Sequence, residues 1–255
     1  MYISSSENRE ILESLKDFCS VRNLGTALEN DENPSPRAGF IISLCERIDI
    51  PYEIDYFMKG SVHYHNIILR GNSTRMVIAH HDIVNIESEN ANDNSASVIN
   101  AILLKKLVPE VHVVITDGEE VGFAGSGRLA SQIKNGSFGP IEWVLNLELS
   151  GRGGKNFMIG EYTGGLTDRI KEMFNPPVKR TPGSDCLPLH MNGIDTNVIN
   201  PLPLLLEGES DILNENGYLD NSSWYLCHSK MDTFDKISIQ DMEEFVTEVL
   251  VPLVR

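Results

Sequence analysis

Positive charge is scarce in this chain. Among 255 residues, 21 Lys+Arg stand against 37 Asp+Glu, a formal net charge of -16, and a surface of that sign repels phosphate backbones and anionic lipid. Nucleic acid and membrane surfaces are therefore not expected as partners. Long apolar runs are missing as well. No stretch approaches transmembrane length, and the opening MYISSSENREILESLKDF is polar and then amphipathic, without the basic start and continuous apolar stretch of a secretory signal. Cysteine is sparse: Cys19, Cys45, Cys186 and Cys227 fall at wide, irregular intervals with no CxxC pair. That spacing speaks against a disulfide framework or a thiolate zinc site and for a reduced, cytoplasmic setting. Low-complexity linkers, internal repeats and phosphate-binding glycine loops are absent too.

What is present is 41% hydrophobic content, enough to bury a full core as one α/β domain over 1–255. Ile11, Leu15, Phe18 and Cys19 recur at helical spacing behind a Ser6 cap, and Phe40, Ile41, Leu44, Cys45 and Ile48 do so after Pro34 and Pro36. Both patterns predict amphipathic helices. Residues 52–58 and 63–69 read as strands meeting at a Gly60-Ser61 turn, and RMVIAH reads as a buried strand. The rhythm then alternates: SVINAILLKKL as helix, VHVVIT as strand, SGRLASQI as helix, WVLNLEL as strand. Residues 238–253 form a last helix, in which Ser238 and Asp241 make a capping-box pattern and Met242, Phe245, Val246, Val249 and Leu250 line one apolar stripe. The expected fold is a central mixed, mostly parallel sheet flanked by helices on both faces.

Acidic residues and histidines gather where these strands end. Alternation along MVIAHHDIV puts His80 and Asp82 on one face and His81 on the other. His80 is a candidate ligand whose second imidazole N–H Asp82 can accept; a polar strand end is the plainer reading. Asp93 stands directly before a helix, where Asp caps exposed N–H groups. Its two oxygens also suit it to bridge a pair of cations roughly 3.5 Å apart. The most specific motif is VHVVITDGEEVGFAGSG, in which an apolar strand runs straight into Asp117, Gly118, Glu119 and Glu120. A solvated acidic turn would look the same. Beside a metal, however, such neighbours divide the work, one binding the cation and the other moving a proton from water to a leaving amine. Glu148 sits between Leu147 and Leu149, a setting that demands coordination or an ion pair with Arg152. His228, bracketed by Cys227 and Asp232, completes a His/carboxylate set suited to Zn²⁺. Among the other histidines, His63 and His65 read as facing solvent on an edge strand, His112 as structural, and His190 as near the pocket without a role.

The ordered motifs AHHDIV, ANDNSAS, TDGEEVGFAGS, NLELSG and CHSKMDTFDKI, over 75–237, resemble the two-zinc aminopeptidases of metallopeptidase family 28 and their relatives glutamate carboxypeptidase II and glutaminyl cyclase. The resemblance implies the zinc aminopeptidase fold and two Zn²⁺ per chain. One ion would be held by Asp93, Glu120 and His228, the other by His80, Asp93 and Glu148, with Glu119 as general base. GSDCLPLHMNGI is similar to the family's S-D-H-x-P-F stretch, which implies that Asp185 lines the pocket near the substrate amine. Two positions depart from the pattern. Glu148 stands where the family usually has Asp, which leaves amino- against carboxy-end recognition open, and Cys186 replaces the usual His. Roughly 80 positions between Glu148 and His228 leave no room for a separate lid domain. The implied activity is hydrolysis of a terminal amide bond in a peptide or small amide. Glutaminyl cyclisation, a carboxypeptidase or deacylase, and a silent binding scaffold are the alternatives.

Overall fold

Helical periodicity at the amino terminus resolves into three segments rather than two. The computed structural model describes residues 6–22, 33–84, 87–201, 212–213, 219–220 and 227–255, so the first five residues of the polar amino terminus lie outside the described residues. Helices α1 (Ser6–Glu13) and α2 (Leu15–Ser20) are separated at Ser14, whose Oγ donates to Ile11 O at 2.6 Å; such a side-chain bond competes with the helix ladder. Helix α3 (Pro36–Arg47) starts behind Ser35, whose Oγ accepts the Ala38 N–H at 3.2 Å, with proline in the first turn.

Strands β1 (Glu53–Lys59) and β2 (Val62–Leu69) form an antiparallel hairpin in which Lys59 faces Val62, turned through Gly60 at φ 65. Then come β3 (Arg75–His80), α4 (Ala96–Leu107), β4 (His112–Thr116), α5 (Ala124–Lys134) and β5 (Trp143–Leu147), in the expected alternation. Five further elements follow that the pattern did not predict: β6 (Phe157–Gly160), α6 (Gly165–Phe174), β7 (Val178–Lys179), α7 (Cys186–Met191) and β8 (Thr196–Pro201). Strands β6 and β7 are too short to show a period, and buried Asn197 and Asn200 break the apolar signature of β8. A small pair, β9 (Ile212–Leu213) and β10 (Leu219–Asp220), stands apart from the main sheet.

The carboxy-terminal helix is capped as expected, Ser238 accepting the Asp241 N–H, and buries its whole predicted stripe. It is not uniform. Between α8 (Ile239–Glu244) and α9 (Val251–Val254) a π turn, Phe245–Leu250, widens the spiral, and Val251 N–H reaches back five residues to Val246 O. The widening lies just ahead of Pro252, which has no N–H to give and whose ring crowds the preceding turn.

The eight-stranded sheet runs β1-β2-β4-β3-β5-β8-β6-β7. Its centre, β4-β3-β5-β8, is parallel, whereas β1, β2 and β6 join antiparallel. Alternation sorts each central strand between two cores. Val77, Ala79, Val113, Ile115, Leu145 and Leu147 pack with α1–α4 and the carboxy-terminal helices. Met76, Ile78, Val114 and Val144 pack under Leu129 and Ala130 of α5 and Leu189 of α7. Full burial of each valine, leucine, isoleucine or methionine among them contributes about 1.5–3 kcal/mol, and the first core is much the larger. One expectation fails: β2 is no edge, because β4 pairs with it at Ile67–Leu69, and farther along His63 and His65, beside the Tyr56 ring and with the His65 N–H donated to Asp117, are 8% and 1% exposed. Among the described residues no helix is long and apolar enough to cross a membrane.

Candidate metal centre

At the carboxyl ends of the central strands the row facing α5 and α7 changes character. Met76 and Ile78 give way to His80, Val114 to Thr116, and Val144 to Asn146 and Glu148. The chain passes from β3 to β4 on one side and then to β5 on the other, so this rim is the reversal point at which open α/β sheets form binding crevices. Gly118 turns the chain out of β4 at φ 75, where an added Cβ would lie 2.6 Å from the Tyr64 ring; the turn delivers Glu119 and Glu120. Asp93 arrives in a wide turn, Ala91–Ser95, ahead of α4. Its neighbours stitch that turn to the end of β5: Asn94 donates to Leu147 O at 2.9 Å and accepts the Leu149 N–H, and Asn92 accepts the Gly151 N–H.

Asp93 does not cap α4. Its Oδ1 lies 3.4 Å from His80 Nε2 and its Oδ2 3.3 Å from His228 Nε2, one oxygen to each histidine. His80 Nε2 also faces Glu148 Oε2 at 3.5 Å, and His228 Nε2 faces Glu120 Oε2 at 3.0 Å. Among the described residues Glu148 has no ion pair with Arg152; it instead accepts the Asn146 amide at 3.0 Å. Most of these N···O separations exceed ordinary hydrogen bonds and match the edge of a tetrahedron of N and O ligands around Zn²⁺, about 3.4 Å from bond lengths near 2.0–2.2 Å. Glu120 Oε1, buried, has no partner. The donor set and that orphaned oxygen fit divalent cations.

Two buried aspartates hold the ligand loops. Asp82 lies 3.5 Å from His80 Nδ1, while that nitrogen comes nearer, 3.2 Å, to Asp82's own carbonyl oxygen. The carboxylate's stronger engagement is with backbone: Oδ1 accepts the Glu119 N–H at 3.1 Å and Oδ2 the Glu120 N–H at 3.0 Å. Asp232 repeats the arrangement from the His228 loop, accepting Asn92 N–H at 2.7 Å and Asp93 N–H at 2.9 Å. The His80 segment thus fixes the backbone of Glu119 and Glu120, the second of which faces His228, and the His228 segment fixes that of Asp93, which faces both histidines. The sequence reading passed over this role of Asp232; its place four residues after His228, between Met231 and Phe234, was the available signal. It also passed over Arg37, fully buried beneath the centre, which donates to His81 O, Val21 O and Ser95 Oγ and lies 4.0 Å over the Phe18 ring.

The electrostatics show a deficit of positive charge. Burial, reinforced by Glu148, Asp185 and Glu120, pushes the Glu119 carboxyl up to about 10, with His80 opposing. Burial likewise raises Glu120 and Glu148. At His80 burial works downward but Glu148, Asp82 and Asp93 outweigh it, so the imidazole sits well above its usual range. Asp82 and Asp93 sit low, because contact with His80 overrides their burial. Hydrogen bonding to Glu120 lifts His228 to about 9 against its own partial burial. His81 points away to His65 O and is driven down to about 4 by burial. Asp185 is buried at the start of α7 and accepts the Thr116 hydroxyl at 2.5 Å; burial raises its carboxyl, with His80 and the Ser126 and Thr116 hydroxyls opposing. His190 is exposed against Tyr162.

The fold is similar to several solved structures. A Legionella pneumophila LapA aminopeptidase superposes with TM-score 0.69 at 14% identity, covering 98% of this chain and 71% of that one. A Porphyromonas gingivalis glutaminyl cyclase gives 0.71 at 16%, covering 95% and 97%. BSAP, a zinc aminopeptidase from Bacillus subtilis, gives 0.58 at 18%, covering 76% of this chain and half of that one. No curated protein matches in sequence. The model of Peptidase family M28 matches residues 66–251, a span that takes in His80, Asp93, Glu119, Glu120, Glu148 and His228, and the chain therefore belongs to peptidase family M28.

Proposed function

We propose that this chain is a metal-dependent exopeptidase that releases an amino-terminal residue, using two zinc ions held by His80, Asp93 and Glu148 and by Asp93, Glu120 and His228. Membership of a peptidase family, with a neighbour described as a zinc aminopeptidase, supports a metal-dependent hydrolase and zinc as the metal. The observation that carries the two-ion reading is Asp93, which offers Oδ1 to one histidine and Oδ2 to the other.

Bound zinc would supply a Lewis acid and lower the pKa of water at neutral pH. The chain's own residues do the rest. Glu119, raised to about 10 without metal, would be returned to its ionised form by the positive charge of the ions beside it, and it then takes the proton of the attacking water and passes it to the leaving amine. Its direction is set by Asp82, which holds the Glu119 and Glu120 amides together. Asp185, buried at the start of α7 and within the field of His80, would receive a substrate ammonium.

Metal analysis combined with aminoacyl amides, N-blocked peptides and amino-terminal Gln peptides tests this. Two ions per chain and cleavage of free-amine substrates are expected. Preference for blocked peptides would overturn amino-end recognition, and one ion with pyroglutamate release would point to cyclisation. Glu119→Gln should lower kcat by about 10²–10⁴-fold with both ions retained; wild-type turnover would remove Glu119 from the base role.

A further inference from the structure

The His228 half of the centre contains a donor that the His/carboxylate set leaves unused. Cys227 Sγ lies 3.0 Å from Asp93 Oδ2, and the sulfur, an Asp93 oxygen and a His228 ring nitrogen all fall within 4.8 Å of one another. Consecutive side chains ordinarily diverge. Here His228 adopts φ 58, a left-handed turn uncommon outside glycine, and both side chains face Asp93. Independently, the Glu120 side chain is 6% exposed and keeps Oε1 without a partner, although Oε2 meets His228.

We propose that Cys227 is a ligand of the ion at the His228 half, giving that ion sulfur, nitrogen and carboxylate oxygen donors and a preference for thiophilic divalent cations such as Zn²⁺, Co²⁺ and Cd²⁺. The proposal rests on the metal-centre reading above. A tetrahedral ion with a sulfur bond near 2.3 Å and an oxygen bond near 2.1 Å separates the two ligand atoms by about 3.6 Å. The present Sγ to Oδ2 contact therefore needs to open by roughly half an ångström, a small side-chain rotation. On binding, the S–H bond gives its proton to solvent and the electron pair left on sulfur becomes the bond to the cation. Scattered cysteines exclude a site built of thiolates alone; one thiolate among imidazole and carboxylates is a different donor set, with softer character.

Cobalt reports on this directly. Metal-depleted protein reloaded with Co²⁺ should show a thiolate-to-cobalt charge-transfer band in the near ultraviolet, and Cys227→Ser should lose that band while keeping the visible cobalt bands. Visible bands without charge transfer in the wild type, or a charge-transfer band that persists in the variant, would overturn the proposal and leave the metal centre standing. Failure of the wild type to bind cobalt at all would overturn both. Should the variant not fold, alkylation of the wild type decides: iodoacetamide, followed by peptide mass spectrometry, should label Cys227 in the metal-free protein and not in the zinc-loaded one. Equal labelling in the two states refutes ligation.

Discussion

The two halves of the proposed centre each set one histidine and one glutamate beside the shared Asp93, on different supports. His80 and Glu148 stand at the ends of β3 and β5, with side chains 1% and 10% exposed, where sheet register and packing on both faces hold them. His228 stands on a loop with its side chain 55% exposed, held through the Asp232 bonds to the Asn92–Asp93 backbone. A ligand fixed by a core is prearranged before the ion arrives. One fixed by polar contacts at the surface loses more freedom on binding, and that ordering lowers affinity. The His80 half is thus expected to be the tighter site, with Asp93 tying the two together.

Breaking the tie should have the largest effect. Asp93→Ala removes one oxygen from each half, so both ions and all measurable activity should go together; metal analysis that found one full equivalent still bound would show the halves to be independent. The histidines separate them next. His80→Ala and His228→Ala should each lose one ion, but their metal-free stabilities should differ. Without His80, buried Glu148, Asp82 and Asp93 lose their shared partner, at a cost of about 1–3 kcal/mol. His228 is half in water, so its loss should barely move the metal-free Tm. Equal Tm values for the two variants would contradict the contrast drawn between strand and loop.

The strand-built half was the legible one. An apolar run ending in His or in Asp-Gly-Glu-Glu announces the strand, and β3, β4 and β5 were read from that pattern; the charge at its end marks a candidate site that a polar strand end or a solvated turn would imitate. Asp93 could be read as a candidate ligand, but its stitching by Asn92 and Asn94 to Leu147, Leu149 and Gly151 at the end of β5 is a contact between segments over fifty positions apart, which no local pattern encodes. The same holds for Asp232 and Arg37. The misplacement of His63 and His65 has a related cause: whether a strand lies at an edge depends on where β4 docks, and that is decided by sheet order rather than by the strand's own residues.

The paired clamps allow a sharper comparison of smaller size. Asn in place of Asp keeps one acceptor and turns an N–H₂ toward the second backbone N–H. Asp82→Asn should disturb Glu119 and Glu120 together, lowering kcat as well as metal affinity. Asp232→Asn should loosen Asn92 and Asp93 and act chiefly on metal affinity at both halves, with kcat of the fully loaded enzyme near wild type. Losses of about 10–100-fold are expected for such supporting groups, measured by metal titration and by rates at saturating zinc. Identical profiles for the two variants would mean that neither clamp is tied to its own loop.

The smallest effect expected is a slope. In metal-free protein His228 is raised to about 9 by Glu120, above its unfolded value near 6.5, so its contribution to stability is complete below about 6.5 and lost as pH rises through about 9. His80, also raised, acts in the same direction. Asp232, which burial lifts to about 7, adds a penalty that grows as it ionises between its ordinary value and about 7. The Tm of chelated protein should therefore fall between pH 6.5 and 9, and His228→Ala should flatten part of that fall, though only modestly, because solvent screens a half-exposed pair. Metal reverses the sign. Ligands must shed protons to bind, so metal-derived stabilisation grows with pH over the same interval, and chelated and zinc-loaded protein should diverge as pH climbs. Parallel Tm curves would mean that the ions are not held by these titrating groups.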